Sequence, residues 1–133
     1  MRLIVSLMAL FGLSGGFDAA SLPPPAAARA GADAAHQGEL RALVARVAPE
    51  AAVEGERYFT VGDDARWVAI VKRIDNLARE RRAEHLRFAA SDPGRTLVEG
   101  WRGRDGRGVV AAMLAGRGGG TVAYYQVRFA ARR

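Results

Sequence analysis

The chain of 133 residues contains no cysteine. That excludes disulfides, thiol nucleophiles, lipid attachment at a lipobox cysteine and every cysteine-based zinc pattern. Histidine is nearly as scarce: His36 and His85 stand alone, and two isolated histidines do not make a metal site. Lysine is reduced to Lys72, so all but one of the 20 basic residues are arginine. No apolar run approaches the roughly 20 residues that a transmembrane helix needs. No metal or cofactor is implied by any motif.

What is present starts with a charged pair, Met1-Arg2, an apolar run from Leu3 to Leu13, and the small residues Ser14-Gly15-Gly16. This is the layout of a secretory signal peptide, with a retained anchor as the alternative, and it places the working protein in the periplasm or outside the cell. The cleavage point is not sharp. Ser14-Gly15-Gly16 has small residues at the right spacing, and Asp18-Ala19-Ala20 carries an awkward acid; the leader is taken as residues 1–20. Residues 21–32, which include SLPPPAAARAG, read as an extended Pro/Ala-rich linker. Residues 33–133 then form one domain, long enough for a single core.

Basic residues outnumber acidic ones, 20 to 14. The almost exclusive use of arginine points to coding composition more than to phosphate recognition, and export disfavours nucleic acid as a partner. A basic surface fits an anionic envelope component or an acidic protein.

Two helices are predicted. Asp33 serves as N-cap for a short amphipathic segment with Leu40, Leu43, Val44 and Val47 at helical spacing, closed by Pro49. Gly62-Asp63-Asp64 supplies a turn and a capping carboxylate for the strongest helix, with Trp67, Ile70, Val71, Ile74, Leu77 and Ala78 in one stripe. Arg79, Arg81 and Arg82 near its end suit the helix dipole. Arg57 to Val61 is a candidate short strand.

Beyond residue 83 the apolar period changes from 3.6 to 2. Segments 84–90, 95–102, 108–115 and 121–130 read as four strands joined by Ser91-Asp92-Pro93-Gly94, Gly103-Arg104-Asp105-Gly106 and a Gly-rich turn at 116–120. The glycine-arginine turns lack the strand-to-helix context and the lysine of a phosphate loop. The expected fold is therefore α+β and two-layered, with one main amphipathic helix on a four-stranded antiparallel meander, plus a short N-terminal helix. In topology alone, one helix covered by a curved antiparallel sheet over residues 33–130 is similar to the cone-shaped folds of the cystatin-like kind. Such folds host enzymes, carriers and interaction modules alike, so the likeness does not select a function.

Even-length turns at 91–94 and 103–106 would place Leu86, Phe88, Leu97, Glu99, Trp101, Val110, Ala112 and Leu114 on one face, joined by Tyr125 if the last turn closes as four residues with Gly120 in the strand. Glu99 is the polar exception, facing Val110 in that register. A buried carboxylate must be paired, protonated or wet. Three readings follow: a pocket lined by Phe88, Trp101 and Tyr125 with Glu99 as its acid, an ion pair to a helix residue such as Arg73, or a sheet end where Glu99 simply reaches water. His85 and Ser91 sit about 20 Å apart along one strand at about 3.3 Å per residue, which excludes a serine–histidine pair. His85 therefore reads as a solvated surface residue.

The first functional reading is an exported, non-enzymatic binding or accessory domain. Its partner would be a protein, an anionic envelope component or a small apolar ligand. The other sheet face, with Val98, Val109, Met113, Val122 and Tyr124, would serve as contact surface or homodimer interface. The alternative is a small isomerase- or hydrolase-like enzyme using Glu99 as general acid/base.

Overall fold

The computed structural model describes residues 17–88, 97–116 and 118–130. The apolar run 3–13, the turn 91–94 and the strand ends at Ala90 and Thr96 lie outside the described residues. The chain is an α+β domain whose elements run β1 (Arg29–Ala30), α1 (Ala34–Val47), β2 (Ala51–Val61), α2 (Trp67–Glu80), β3 (Glu84–Leu86), β4 (Val98–Arg102), β5 (Arg107–Gly116) and β6 (Gly119–Phe129). The six strands form one antiparallel sheet in the order β1-β2-β6-β5-β4-β3.

The meander of β3 to β6 is thus present, but it is two-thirds of a wider sheet. β2 lies against β6 along nearly its whole length, from Ala51↔Phe129 to Val61↔Gly120. Only its last five residues were legible as a strand. The first half shows no clean alternation because the register shifts between Val53 and Gly55, and a bulge resets the period-two pattern on which strand recognition depends.

Both helices form where their stripes predict. The Asp33 carboxylate accepts the His36 amide at 2.8 Å and caps α1, which buries Leu40, Val44 and Val47. α2 buries Ile70, Ile74 and Ala78, with Trp67, Val71 and Leu77 half-buried beside them. Neither Asp63 nor Asp64 is its cap. A turn from Gly62 O to Ala65 N, 3.1 Å, delays the helix, and extended Arg66 takes the capping position without a side-chain bond. At the far end Arg82 adopts φ +56° while Ala83 N bonds Ala78 O at 2.8 Å, a left-handed C-terminal cap of the kind usually built on glycine.

The helices cover opposite faces of the sheet, giving three layers where two were expected. Under α1 lie Phe88, Val98, Val110, Ala112, Ala123, Tyr125, Val127 and Phe129. Under α2 lie Phe59, Trp101, Val109, Ala111, Met113, Val122 and Tyr124, together with Phe17, Ala19 and Leu22 from the N-terminal segment. Every residue of β5 from Gly108 to Met113 is consequently buried. Each fully buried aliphatic side chain contributes about 1.5–3 kcal/mol, so both surfaces act as core. The face assigned to partner contact is therefore corrected: Val98, Val109, Met113, Val122 and Tyr124 are all buried, Val98 beneath α1 and the other four beneath α2.

The β5–β6 register matches the expected one, with Val110↔Tyr125 and Ala115↔Gly120. The β4–β5 register does not. Trp101 pairs with Val109 and Glu99 with Ala111, one residue away from the expected Glu99–Val110 pairing. The cause is the connecting loop. Gly103 N bonds Arg107 O at 2.8 Å, Gly106 N bonds Gly103 O at 3.2 Å, and Gly106 sits at φ +85°. This is a three-residue loop with a left-handed glycine, whereas a four-residue turn was expected. Changing the loop by one residue flips every β4 side chain. Glu99 and Trp101 therefore face α2, and Phe88 and Tyr125 face α1.

Candidate functional site

The expected pocket of Glu99, Phe88, Trp101 and Tyr125 is divided by the sheet itself. On the α1 side, the Phe88 ring covers Gly100, where an added Cβ would fall 2.6 Å from Phe88 Cζ. Tyr125 is fully buried, and its hydroxyl donates to Tyr58 Oη at 3.2 Å; Tyr58 in turn donates to Glu56 Oε1 at 2.6 Å. Arg41 of α1 pairs with the same Glu56 oxygen. The two tyrosine rings meet edge to face, with centroids 5.8 Å apart. Burial, then the bond to Tyr58, pushes the Tyr125 hydroxyl far above the usual phenol range. The bond from Tyr58, followed by that from Arg41, holds the Glu56 carboxyl below its usual value. This chain ends at exposed Arg41 and joins helix to sheet.

On the α2 side, Glu99 meets a partner that sequence reasoning left in solvent. Its Oε2 lies 2.9 Å from His85 Nε2, and His85 Nδ1 lies 3.6 Å from Asp75 Oδ1. Asp75 also accepts Trp101 Nε1–H at 3.1 Å and pairs with Arg79 at 3.0 Å. The His85 ring stacks on Trp101 at 5.2 Å and 14°. Cross-strand pairing of His85 with Trp101 creates the row, so it was invisible until the register was known. Arg73, the expected ion-pair partner of Glu99, points elsewhere, to Pro24 O at 3.4 Å. The Glu99 side chain is one-third exposed at 33%, so water and His85 together solvate the acid. Its neighbours satisfy it without a substrate.

A third arrangement was missed altogether. Residues 17–28, read as leader end and linker, are a strap across the α2 face. Phe17, Ala19 and Leu22 are buried in the core. Turns within the strap bond Leu22 N to Ala19 O and Ala28 N to Pro25 O, both at 3.2 Å, and outside donors complete its hydrogen bonding. Arg57 supplies two, to Ala19 O at 2.7 Å and Leu22 O at 2.9 Å. Tyr124 donates to Pro23 O at 3.2 Å, and Gln126 Oε1 accepts the Ala19 amide at 2.7 Å. Arg57 also lies over the Phe59 and Tyr124 rings, 5.1 and 5.8 Å from their centroids. The strap continues into β1, where Arg29 and Ala30 pair with Thr60 and Phe59.

Between strap and helix opens a cleft of about 190 Å³. Pro23, Pro25, Ala69, Ile70 and Ile74 give it apolar walls, Tyr124 forms part of its lining, and Arg66 and Arg73 supply cations. Burial pushes the Tyr124 hydroxyl up to about 12, although Arg57 and Arg73 pull it down, so it stays a neutral donor at ordinary pH. A second, more open and more polar cleft lies where the start of α1 meets the β5–β6 hairpin, around Asp33, His36, Gly119 and Thr121. Neither cleft is lined by Glu99 or His85.

Among the described residues, no group of three or more histidine or acidic side chains is arranged to hold a metal ion. Among them, too, no helix is long and apolar enough to cross a membrane. No protein-family model, no curated protein and no solved structure matches the chain.

Proposed function

We propose that this is an exported, non-enzymatic binding domain, periplasmic or secreted, that takes a small apolar ligand with an anionic group into the cleft between the strap and α2. The observation that carries the reading is the composition of that cleft: apolar walls from Pro23, Pro25, Ala69, Ile70 and Ile74, with two cations, Arg66 and Arg73, against the one carboxylate of Asp64. Apolar surface supplies affinity, and a few placed polar groups supply orientation. At about 190 Å³ it is smaller than the roughly 300–1,000 Å³ typical of drug-sized ligands. A single aromatic ring or a short acyl chain fits that scale. The leader-like start of the chain supports export, and the net charge of +6 favours an anionic ligand at long range.

Glu99 as general acid/base has less in its favour. Its Oε2 is engaged by His85 Nε2. A productive acid must reach a substrate atom at hydrogen-bond distance, and Glu99 lines neither of the two clefts found among the described residues.

The test is calorimetric titration with benzoate and with hexanoate, probes both apolar and anionic and of the size the cleft admits, against the protein and its Ala69→Trp variant. Ala69 is exposed at the cleft, so the indole fills the space without entering the core. Saturable binding that Ala69→Trp abolishes supports the reading. Absence of binding, or binding indifferent to the substitution, overturns it.

A further inference from the structure

We infer that the mature protein begins at Phe17, the leader being removed at the Gly16–Phe17 bond. The inference rests on the export reading and not on the ligand cleft. Leader removal needs small residues at the first and third positions before the cut. Four places between 14 and 28 offer that spacing or nearly so: Ser14/Gly16, Asp18/Ala20, Ala19/Ser21 and Ala26/Ala28. The sequence does not choose among them, but the fold does.

A cut after Ala20 or after Ser21 would discard Phe17 and Ala19, which are 2% and 3% exposed within the core. It would also remove an Arg57 acceptor and the amide bound by Gln126. The 3₁₀ turn Ala19–Ser21, closed by Ser21 N to Asp18 O and Leu22 N to Ala19 O, both 3.2 Å, would be severed. A cut after Ala28 would take the whole strap, including buried Pro25 and the Pro23 carbonyl that Tyr124 uses. Buried apolar side chains and satisfied carbonyls are features of a segment that stays. A cut after Gly16 keeps every one of these contacts, and the first retained residue is already a core residue.

The reaction is an ordinary hydrolysis. One water adds to the Gly16 carbonyl carbon, the bond to Phe17 N breaks, Gly16 leaves as a carboxylate and Phe17 keeps a free amine. A leader peptidase of the export pathway supplies the catalysis.

The experiment is expression of the full chain with its own leader in a bacterium, followed by N-terminal sequencing and intact mass of the exported product. The expected start is Phe-Asp-Ala-Ala-Ser. A start at Ser21, Leu22 or Arg29, or an uncut chain, overturns the assignment. Two substitutions sharpen the result. Gly16→Leu should accumulate precursor, whereas Ala20→Trp, at an exposed position, should leave the Phe17 start unchanged. The reverse pattern overturns the assignment as well. Since none of these readouts involves a ligand, failure of the cleft proposal and failure of this one are distinguishable.

Discussion

Replacing Arg57 with alanine should undock the strap while leaving the sheet folded. The guanidinium makes two hydrogen bonds to part-buried carbonyls, Ala19 O at 2.7 Å and Leu22 O at 2.9 Å. A hydrogen bond with a charged donor contributes about 1.5–3 kcal/mol net; Ala19 O would keep its Leu22 amide, so the cost of a missing donor falls on Leu22 O. The two bonds share one nitrogen, and water can reach the vacated site, so the sum is not additive. A loss of about 2–4 kcal/mol is expected, a large part of the roughly 5–15 kcal/mol that holds a typical domain. The stacking of Arg57 over Phe59 and Tyr124 adds about 0.5–1 kcal/mol. Because the strap contacts the α2 face without belonging to the central strands, the loss should appear first as local opening. Hydrogen exchange at the Ala19, Leu22 and Ala28 amides should quicken strongly, and thermal unfolding should fall by about 10 °C, at roughly 4 °C per kcal/mol for a domain of this size. Amides in β5 should keep their protection up to the reduced global limit. Arg57→Lys should rescue only part of the effect, since one ammonium does not reproduce the planar fork. Unchanged exchange at Ala19 and Leu22 in Arg57→Ala would refute the assignment of the strap to the fold.

Further outcomes follow from single contacts. Gly108→Ala should cost about 3 kcal/mol or more in urea unfolding, because the new Cβ would lie 2.0 Å from Trp101 O in the adjoining backbone; a loss under about 1 kcal/mol would contradict the tight β4–β5 approach. Arg82→Gly should raise stability by about 1 kcal/mol, since Arg82 holds φ +56° at the end of α2 and glycine pays no Cβ penalty there; a drop in denaturation midpoint would refute this. Alkaline titration should destabilise the protein. The Tyr124 and Tyr125 hydroxyls are raised in the folded state, so their stabilisation is complete below the unfolded phenol value near 10 and is lost as pH rises toward about 12. Equilibrium unfolding measured across that window should show the decline steepest there, and Tyr124→Phe should flatten it. Glu99→Gln should change stability by no more than about 1 kcal/mol, because its pairing with His85 is partly exposed; loss of a measurable catalytic activity in a folded Glu99→Gln protein would instead establish the enzyme reading.

Local rules settled a good part of this protein. The stripes of α1 and α2 and the Asp33 cap depend on residues within four positions of one another, and the β5–β6 register depends on a turn bounded by its own glycines. Such features need no knowledge of the rest of the chain. The location of Glu99 does. Its face hangs on the parity of a loop in which Asp105-Gly106 is compatible with either a three- or a four-residue closure, and packing of Trp101 against α2 accompanies the odd one. The row of Asp75, His85 and Glu99 exists only in that register.

The strap shows the same division more strongly. Pro23 to Pro25 specify an extended backbone, and composition alone then says linker. What turns that stretch into structure is a set of donors far away in sequence: Arg57, Tyr124 and Gln126, which the sheet brings to one surface. Likewise, a strand read by itself carries no mark of how many helices will cover it. The residues of the chain fixed its local geometry; burial of both sheet faces and the pinning of a proline segment were decided by long-range contacts, because apolar burial and carbonyl satisfaction are accounted over the whole fold and not within any window of it.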